Sequence, residues 1–324
     1  MTSHILKTLA ISATALAITL TPSHSAAQGR IAGQRRQQLG PATAELPGSA
    51  TVVNFGTVDF PGAPDSAAYA INDHGQILGG YGPDLQTNAP NTGFYLNRNA
   101  FQEIDFPGAA QTAAFGLNNV GEISGTYIDV AGNYHGFNLV KGIYTGVDVP
   151  GAVLTQAQGV NDSGEIVGLY YDSGSNAGQG FALNGSTFTT IDMPGATGGT
   201  YCVGVNNSGE IVGEYIDSAG DYHGFLWVSG VFSTIDYPGA AYSALFGITE
   251  SGVVVGTYGD GVHNIYEGFE HGYAYNEGQY LSVDVPFVGA GSTAVSGINK
   301  RGQIVGYYID TDGRNYGYSA QIVP

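Results

Sequence analysis

The chain has one cysteine, Cys202, in 324 residues, and this excludes any disulfide bond within it. It also has little positive charge, because nine Lys and Arg residues stand against 27 Asp and Glu residues and give a formal net charge of -18. A surface of this sign repels nucleic acids and anionic membranes. We therefore expect no nucleic-acid partner, and we expect packing rather than cross-links to hold the fold together.

Long hydrophobic runs are scarce as well. The best candidate, residues 9–20, is shorter than the roughly 18 to 20 residues that a membrane span needs, so we expect no membrane insertion. Lys7 before this run and the small residues Ala26 and Ala27 after it are typical of a signal peptide over residues 1–27. We therefore expect a secreted or periplasmic protein.

The segment after the predicted signal peptide has no pattern of alternating apolar residues. Residues 28–50 are polar, and we expect a disordered leader there. The folded domain is then predicted to occupy residues 51–324.

Motifs of the common hydrolases are missing from the sequence. It contains no HExxH, CxxC or GxSxG, and we expect no cofactor. Several polar loops do carry an aspartate, and these residues are Asp129, Asp172, Asp217, Asp260 and Asp310. None of these loops has the closing glutamate of a calcium-binding loop. Turn formation is the favoured interpretation, calcium remains the alternative, and no residue is assigned as a metal ligand.

What the chain does have is a repeat. An Asp-x-Pro sequence occurs six times, at intervals of about 44 residues. Its aspartates, the Asp column, are Asp59, Asp105, Asp148, Asp192, Asp236 and Asp284. A β-branched residue precedes each aspartate and an aromatic residue stands four positions before it, so a strand is predicted to end at the proline. We expect the aspartates to hydrogen-bond within their own turns.

A second predicted strand in each copy contains a residue with little or no side chain. These residues are Ala70, Gly116, Gly159, Gly204, Gly247 and Gly297. Glycine weakens a strand unless another backbone must approach closely. We therefore expect this strand to be the innermost one of a radial array, and we expect Cys202, which lies in it, to be buried.

Two further strands complete each copy. An Asn-x-x-Gly sequence, typical of a type I turn, leads into a third strand that ends at a tyrosine. The tyrosine column consists of Tyr81, Tyr127, Tyr170, Tyr215, Tyr258 and Tyr308. A variable polar loop follows, and the fourth strand then opens with Gly and an aromatic residue.

Four short strands per copy predict the blade of a β-propeller. The last copy lacks an Asp-x-Pro strand, whereas the first copy has a surplus one within residues 51–61. Pairing these two ends closes a ring. We therefore predict an all-β fold, a six-bladed β-propeller with four antiparallel strands per blade, closed by the N-terminal strand.

The copies resemble the bacterial HAF-type extracellular repeat family. The resemblance rests on FQEIDFPGA at Phe101, GVNDSGEIVGLY at Gly159 and HGFLWVSG at His223, and it spans residues 51–324. It implies an exported protein with propeller-like repeats and no assigned reaction. The fifth copy departs from the pattern with the insert YGDGVHNIYEGFEHGYAY.

Two functions fit these features. The first is a monomeric propeller that binds a glycan or a surface protein at the cell exterior. The alternative is an extracellular carbohydrate-active enzyme, a lyase or glycosidase, with a single site on the loop face. A binder can repeat its site in each blade, whereas an enzyme needs one unlike blade.

The candidate site residues form two groups. The first group lies in the fifth-copy insert, the least regular stretch, and consists of His263, Tyr266, Glu267, Glu270 and His271. The second group consists of the column residues Tyr127, Tyr170, Tyr215 and Tyr258, whose rings suit sugar binding but whose favoured role is packing between blades. His135, His223 and His271 occupy a column that also accepts Thr, Gln and Tyr, so a strand-edge role is favoured over metal binding.

Overall fold

A computed structural model of the protein describes residues 49–85, 91–259 and 270–324. These residues form 24 β-strands and no helix, arranged as six four-stranded sheets in which all neighbouring strands are antiparallel. The predicted six-bladed β-propeller is confirmed. The predicted signal peptide and all but the last two residues of the predicted leader lie outside the described residues.

Blades 1 to 5 take their strands in chain order from the axis to the rim. Blade 1 consists of β2 (Asp65–Ile71), β3 (Ile77–Gly82), β4 (Thr92–Asn97) and β5 (Ala100–Ile104). Blade 2 consists of β6 (Gln111–Leu117), β7 (Ile123–Ile128), β8 (Tyr134–Val140) and β9 (Ile143–Val147). Blade 3 consists of β10 (Ala152–Val160), β11 (Ile166–Asp172), β12 (Gln179–Asn184) and β13 (Thr187–Ile191).

The second half of the ring repeats this order. Blade 4 consists of β14 (Gly199–Val205), β15 (Ile211–Ile216), β16 (Tyr222–Val228) and β17 (Val231–Thr234). Blade 5 consists of β18 (Tyr242–Ile248), β19 (Val254–Gly259), β20 (Glu270–Asn276) and β21 (Gln279–Val283). Blade 6 consists of β22 (Ala290–Ile298), β23 (Gln303–Asp310), β24 (Asn315–Val323) and, at the rim, β1 (Thr51–Thr57).

The N-terminal strand closes the ring, as predicted from the phase of the two chain ends. β1 pairs antiparallel with β24, from Thr51 opposite Val323 to Thr57 opposite Tyr318, with a bulge between Val53 and Gly56. This pairing covers the edge of β24 that would otherwise be open to another chain.

The innermost strands of all six blades surround an axial cavity of about 120 Å³. The small residues lie where these strands approach one another. A Cβ atom at Gly159 would stand 2.6 Å from the carbonyl oxygen of Val203, and one at Gly204 would stand 2.5 Å from that of Phe246. The prediction that backbones meet at this column is confirmed, and Cys202 in the same strand is fully buried.

The core consists of layers between neighbouring blades. The largest fully buried side chains are the aromatic residues of the Gly-aromatic pairs, and these are Phe94, Phe137, Phe181, Phe225, Tyr273 and Tyr318. In five of the six pairs a Cβ atom on the glycine would collide with a neighbouring backbone or side chain, for example at 2.4 Å from Val147 O for Gly136, and at Gly93 it would be tightly packed. The Gly-aromatic pair therefore combines close strand packing with a large buried ring.

The Asp column has a structural role, but its partners differ from the predicted ones. Asp192 accepts a hydrogen bond from the backbone N–H of Gly180, on the neighbouring strand of its own blade, at 3.3 Å. The N–H that follows the aspartate, that of Met193, donates to Thr200 Oγ1 at 3.0 Å. A Ser or Thr hydroxyl accepts the corresponding N–H in every copy. A hydroxyl of the next blade thus accepts the turn N–H that we expected the aspartate to accept.

The propeller has two faces. The turn face carries the Asn-x-x-Gly turns. The loop face carries the connections between the second and third strands of each blade and the crossings between blades. Within the described ranges, no helix has the length and hydropathy needed to cross a membrane.

Candidate functional site

Most of the tyrosine column on the loop face is used for packing. Tyr215 and Tyr258 share hydrogen bonds of 3.0 Å with Thr234 Oγ1 and Ser282 Oγ on the outermost strand of their own blades. Tyr170 is buried and donates to Gln179 Oε1 at 2.9 Å. These hydroxyls therefore already have partners within the protein.

The ring faces of this column are also largely occupied. Tyr127 stacks on Phe106 at a centroid distance of 3.7 Å and on His135 at 5.0 Å. Tyr258 stacks in the same way on Tyr237 at 3.7 Å and on His271 at 5.1 Å. With two stacked neighbours, these rings present little free face to a ligand. The sugar-binding role of the four tyrosines stays a prediction, and the geometry favours packing.

The histidine column links two carboxylates at the rim of the loop face. His223 Nδ1 lies 2.8 Å from Asp236 Oδ2, and its Nε2 lies 3.7 Å from Asp217 Oδ2. The hydrogen bond to Asp236, opposed by burial, raises the pKa of His223. His135 has the same arrangement between Asp148 and Asp129. The described residues contain no group of three or more His, Cys, Asp or Glu side chains that could hold a metal ion.

The two fifth-copy candidates that the structure describes, Glu270 and His271, do not lie together. His263, Tyr266 and Glu267 lie outside the described residues, so their role stays a prediction. His271 lies at the rim, with Nδ1 2.7 Å from Asp284 Oδ1. Glu270, its neighbour in β20, lies on the opposite side of the strand and is 5% exposed.

Glu270 belongs to a buried acid pair on the loop-face side of the axis. Tyr242 donates its hydroxyl to Glu270 Oε1 at 3.0 Å. The second member, Glu214 of blade 4, has a buried Oε2 with no hydrogen-bond partner among the residues that the structure describes. Burial raises the pKa of Glu270 to about 7, and burial together with the charge of Glu270 raises that of Glu214 to about 8.

Tyrosines surround the acid pair. Tyr171 and Tyr201 share a hydrogen bond of 3.0 Å, and burial and the charge of Glu214 raise the pKa of Tyr222.

Glu214 was not predicted from the sequence. The signal was present, because the residue before each column tyrosine is Gly, Thr, Leu, Glu, Thr or Tyr, and only blade 4 has a carboxylate there. Since both carboxyls and Tyr242 are buried, this pair offers no surface to an external substrate.

An open groove lies instead on the loop face of blade 1. It has a volume of about 420 Å³, within the range of roughly 300 to 1,000 Å³ that is usual for ligand sites. Its lining consists of Phe60, Pro61, Gly62, Ala63, Pro64, Tyr81, Gly82, Pro83, Thr92 and Glu103. Phe60 and Tyr81 stack at 3.7 Å with an angle of 3° between the rings and form its aromatic wall.

Blade 1 departs from the other blades at several positions of the groove lining, among them Pro64 and Pro83, and two of the departures lie beside the Tyr81 ring. Thr92 pairs with Tyr81 across the strands and stands where His135, His223 or His271 stacks on the column tyrosine. A threonine is too small to cover the ring. Glu103 stands where the other outermost strands have Thr, Ser or Gly, and it accepts the Tyr81 hydroxyl at 2.6 Å.

Comparisons with known proteins agree with the fold. No protein-family model and no curated protein matches the chain. Among solved structures, a mutant of AofleA from Arthrobotrys oligospora matches with a TM-score of 0.51 and 12% identity, over 85% of this chain and 87% of that one. The fucose-specific lectin from Aleuria aurantia matches with a TM-score of 0.46 and 13% identity, over 81% and 96%. The β-propeller domain of the Trilobed protease from Pyrococcus furiosus matches with a TM-score of 0.46 and 11% identity, over 81% of this chain and 83% of that one.

The likeness to AofleA supports the β-propeller fold and nothing finer. The membership in the HAF-type repeat family stays a prediction, while the propeller-like fold that the resemblance implied is confirmed by the structure.

Proposed function

We propose that the protein is an exported carbohydrate-binding β-propeller and that the groove of blade 1 is its binding site. The observation that carries the proposal is the open ring of Tyr81 beside an exposed carboxylate. Sugars combine apolar ring faces with hydroxyl groups, and a site with an aromatic wall and a few fixed polar groups suits both.

The polar groups of the groove are positioned for hydroxyl recognition. The hydrogen bond from Tyr81 orients Glu103, whose carboxylate can accept further hydrogen bonds from a ligand. Thr92 adds a hydroxyl that can both donate and accept. The three prolines of the lining hold the groove walls with little conformational freedom.

Binding is favoured over catalysis by the burial of the acid pair. A lyase or glycosidase needs reactive groups within reach of its substrate, and the two carboxyls whose pKa is raised to about 7 and 8, Glu270 and Glu214, are buried. The groove lining contains one carboxylate, Glu103. The export of the protein rests on the predicted signal peptide.

The test is a panel of neutral, amino and acidic mono- and disaccharides, measured by calorimetry on the wild-type protein and on Thr92→His. The substitution restores the residue of blades 2, 4 and 5, so we expect a folded protein whose groove is filled and whose binding is lost. Gln179→His makes the same change in blade 3 and should leave binding intact. Undiminished binding by Thr92→His, or no binding by the wild type, contradicts the proposal.

A further inference from the structure

The groove of blade 1 carries negative charge without a cation in its lining. Glu103 is exposed at its edge, and Asp105 lies close enough to act on Tyr81. Burial, the hydrogen bond to Glu103 and the charges of both carboxylates raise the pKa of Tyr81 to about 12. None of the lining residues is Lys, Arg or His.

A cation that contacts the groove wall, Arg314, is paired with a buried carboxylate. Arg314 Nη1 lies 3.5 Å from the carbonyl oxygen of Pro83 at the groove wall, but it also lies 3.2 Å from Asp65 Oδ1. Asp65 is 2% exposed, so this buried carboxylate needs the guanidinium as its counter-charge. The carboxylates beside the Tyr81 ring are those of Glu103, which accepts its hydroxyl, and Asp105.

We propose that the groove selects sugars with a free amino group, namely unacetylated hexosamines, over N-acetylated and acidic sugars. This inference rests on the proposed function, and it adds the charge class of the ligand. A protonated amine donates charge-assisted hydrogen bonds to the Glu103 carboxylate, and these are stronger than the bonds of a neutral hydroxyl or amide.

The aromatic wall supports the same class of ligand. An ammonium group beside the face of a tyrosine ring is attracted by the negative potential of that face. Uronic acids are repelled for the converse reason, because their carboxylates would approach Glu103 and Asp105 with no cation between them. The groove therefore discriminates both by attraction and by repulsion.

The experiment compares three disaccharides by calorimetry: the unacetylated glucosamine disaccharide, its diacetylated form and digalacturonate. We expect wild-type protein to bind the amine about 3- to 10-fold more tightly than the acetylated form, corresponding to one charge-assisted contact, and to bind digalacturonate more weakly than either.

Glu103→Gln keeps the shape of the side chain and removes its charge. It should abolish the preference for the amine while binding of the acetylated sugar persists, whereas Glu277→Gln, an exposed change on the turn face, should leave the preference unchanged. Equal affinity of the wild type for amine and acetylated sugars, or a preference that survives Glu103→Gln, overturns the inference and leaves the proposed function standing. Absence of binding by all three sugars overturns both.

Discussion

Asn299 donates its side-chain amide to the backbone carbonyl oxygen of Asn72 at 3.0 Å, and this bond joins the last blade to the first. The same bond recurs around the axis, from Asn72 to Asn118, Asn118 to Asn161, Asn161 to Asn206, and Asn206 to Thr249. Thr249 has no amide, so the series lacks its link from blade 5 to blade 6. Each asparagine also closes its own turn, as Asn161 Oδ1 does for the N–H groups of Ser163 and Glu165.

This series predicts opposite effects for two substitutions. Asn161→Ala removes a turn contact and an inter-blade bond, and should lower the free energy of unfolding by about 1–3 kcal/mol. Thr249→Asn supplies the missing donor and should raise it by about 0.5–1.5 kcal/mol. Denaturant unfolding at constant pH measures both. A Thr249→Asn protein that is no more stable than the wild type would argue against a continuous series.

Ring closure by β1 predicts the effect of an N-terminal deletion. A protein that lacks residues 1–57 leaves β24 with an unpaired edge, so we expect a lower melting temperature and self-association. The matched control lacks residues 1–48 and retains β1. Both proteins are compared by thermal unfolding and light scattering. If the two behave alike, β1 does not hold the ring closed.

The buried acid pair predicts how stability depends on pH. Unfolded glutamates lose their protons near pH 4.5, whereas Glu214 and Glu270 retain theirs up to about pH 8 and 7. The folded state therefore binds more protons between these values, and the free energy of unfolding should fall as pH rises from about 4.5 to 8.

Glu214→Gln removes one of the two groups that bind an extra proton in the folded state. The free energy of unfolding should then fall less steeply with pH, and the variant should be more stable than the wild type at pH 8 by on the order of 3 kcal/mol. Exposed Glu277→Gln is the control. A wild-type stability that is constant or rising over this pH range would show that the pair is ionised in the folded protein.

The fold was largely predictable because its constraints recur six times. Pro ends the outer strand, the small column permits close approach of backbones, and the phase of the chain ends requires closure by β1. The inter-blade bond of Asn161 was not predictable, because a turn signature shows the local contact and says nothing of the carbonyl that the next blade brings near.

The candidate site was predicted less well, for a physical reason. A long insert attracts attention in a repeat, yet the face of the Tyr81 ring is left open by a residue smaller than its counterparts, Thr92, and the charge beside it comes from Glu103. A single residue that is smaller than its counterparts in the other copies forms no recognisable sequence motif. Likewise, whether Glu270 and His271 point to the axis or to the rim depends on strand register, which only the structure provides.

The two departures beside the Tyr81 ring predict that a ligand site can be created in another blade. Blade 2 has Phe106 and Tyr127 in the places of Phe60 and Tyr81. A Cβ atom at Gly146, the position that corresponds to Glu103, meets nothing within 4 Å. His135→Thr combined with Gly146→Glu should therefore create a second site and raise the number of sugars bound per chain from one to two in calorimetry. A count that stays at one would mean that more than these two positions defines the groove.

The central claim is that a sugar binds at the Phe60–Tyr81 wall, and a crystal structure of the wild-type protein with the tightest-binding sugar of the panel tests it most directly. We predict density for one sugar ring against Tyr81, with a hydroxyl or amine within hydrogen-bond distance of Glu103. Density for the sugar beside Tyr127, Tyr215 or the acid pair, with the blade 1 groove empty at saturating ligand, would contradict the account.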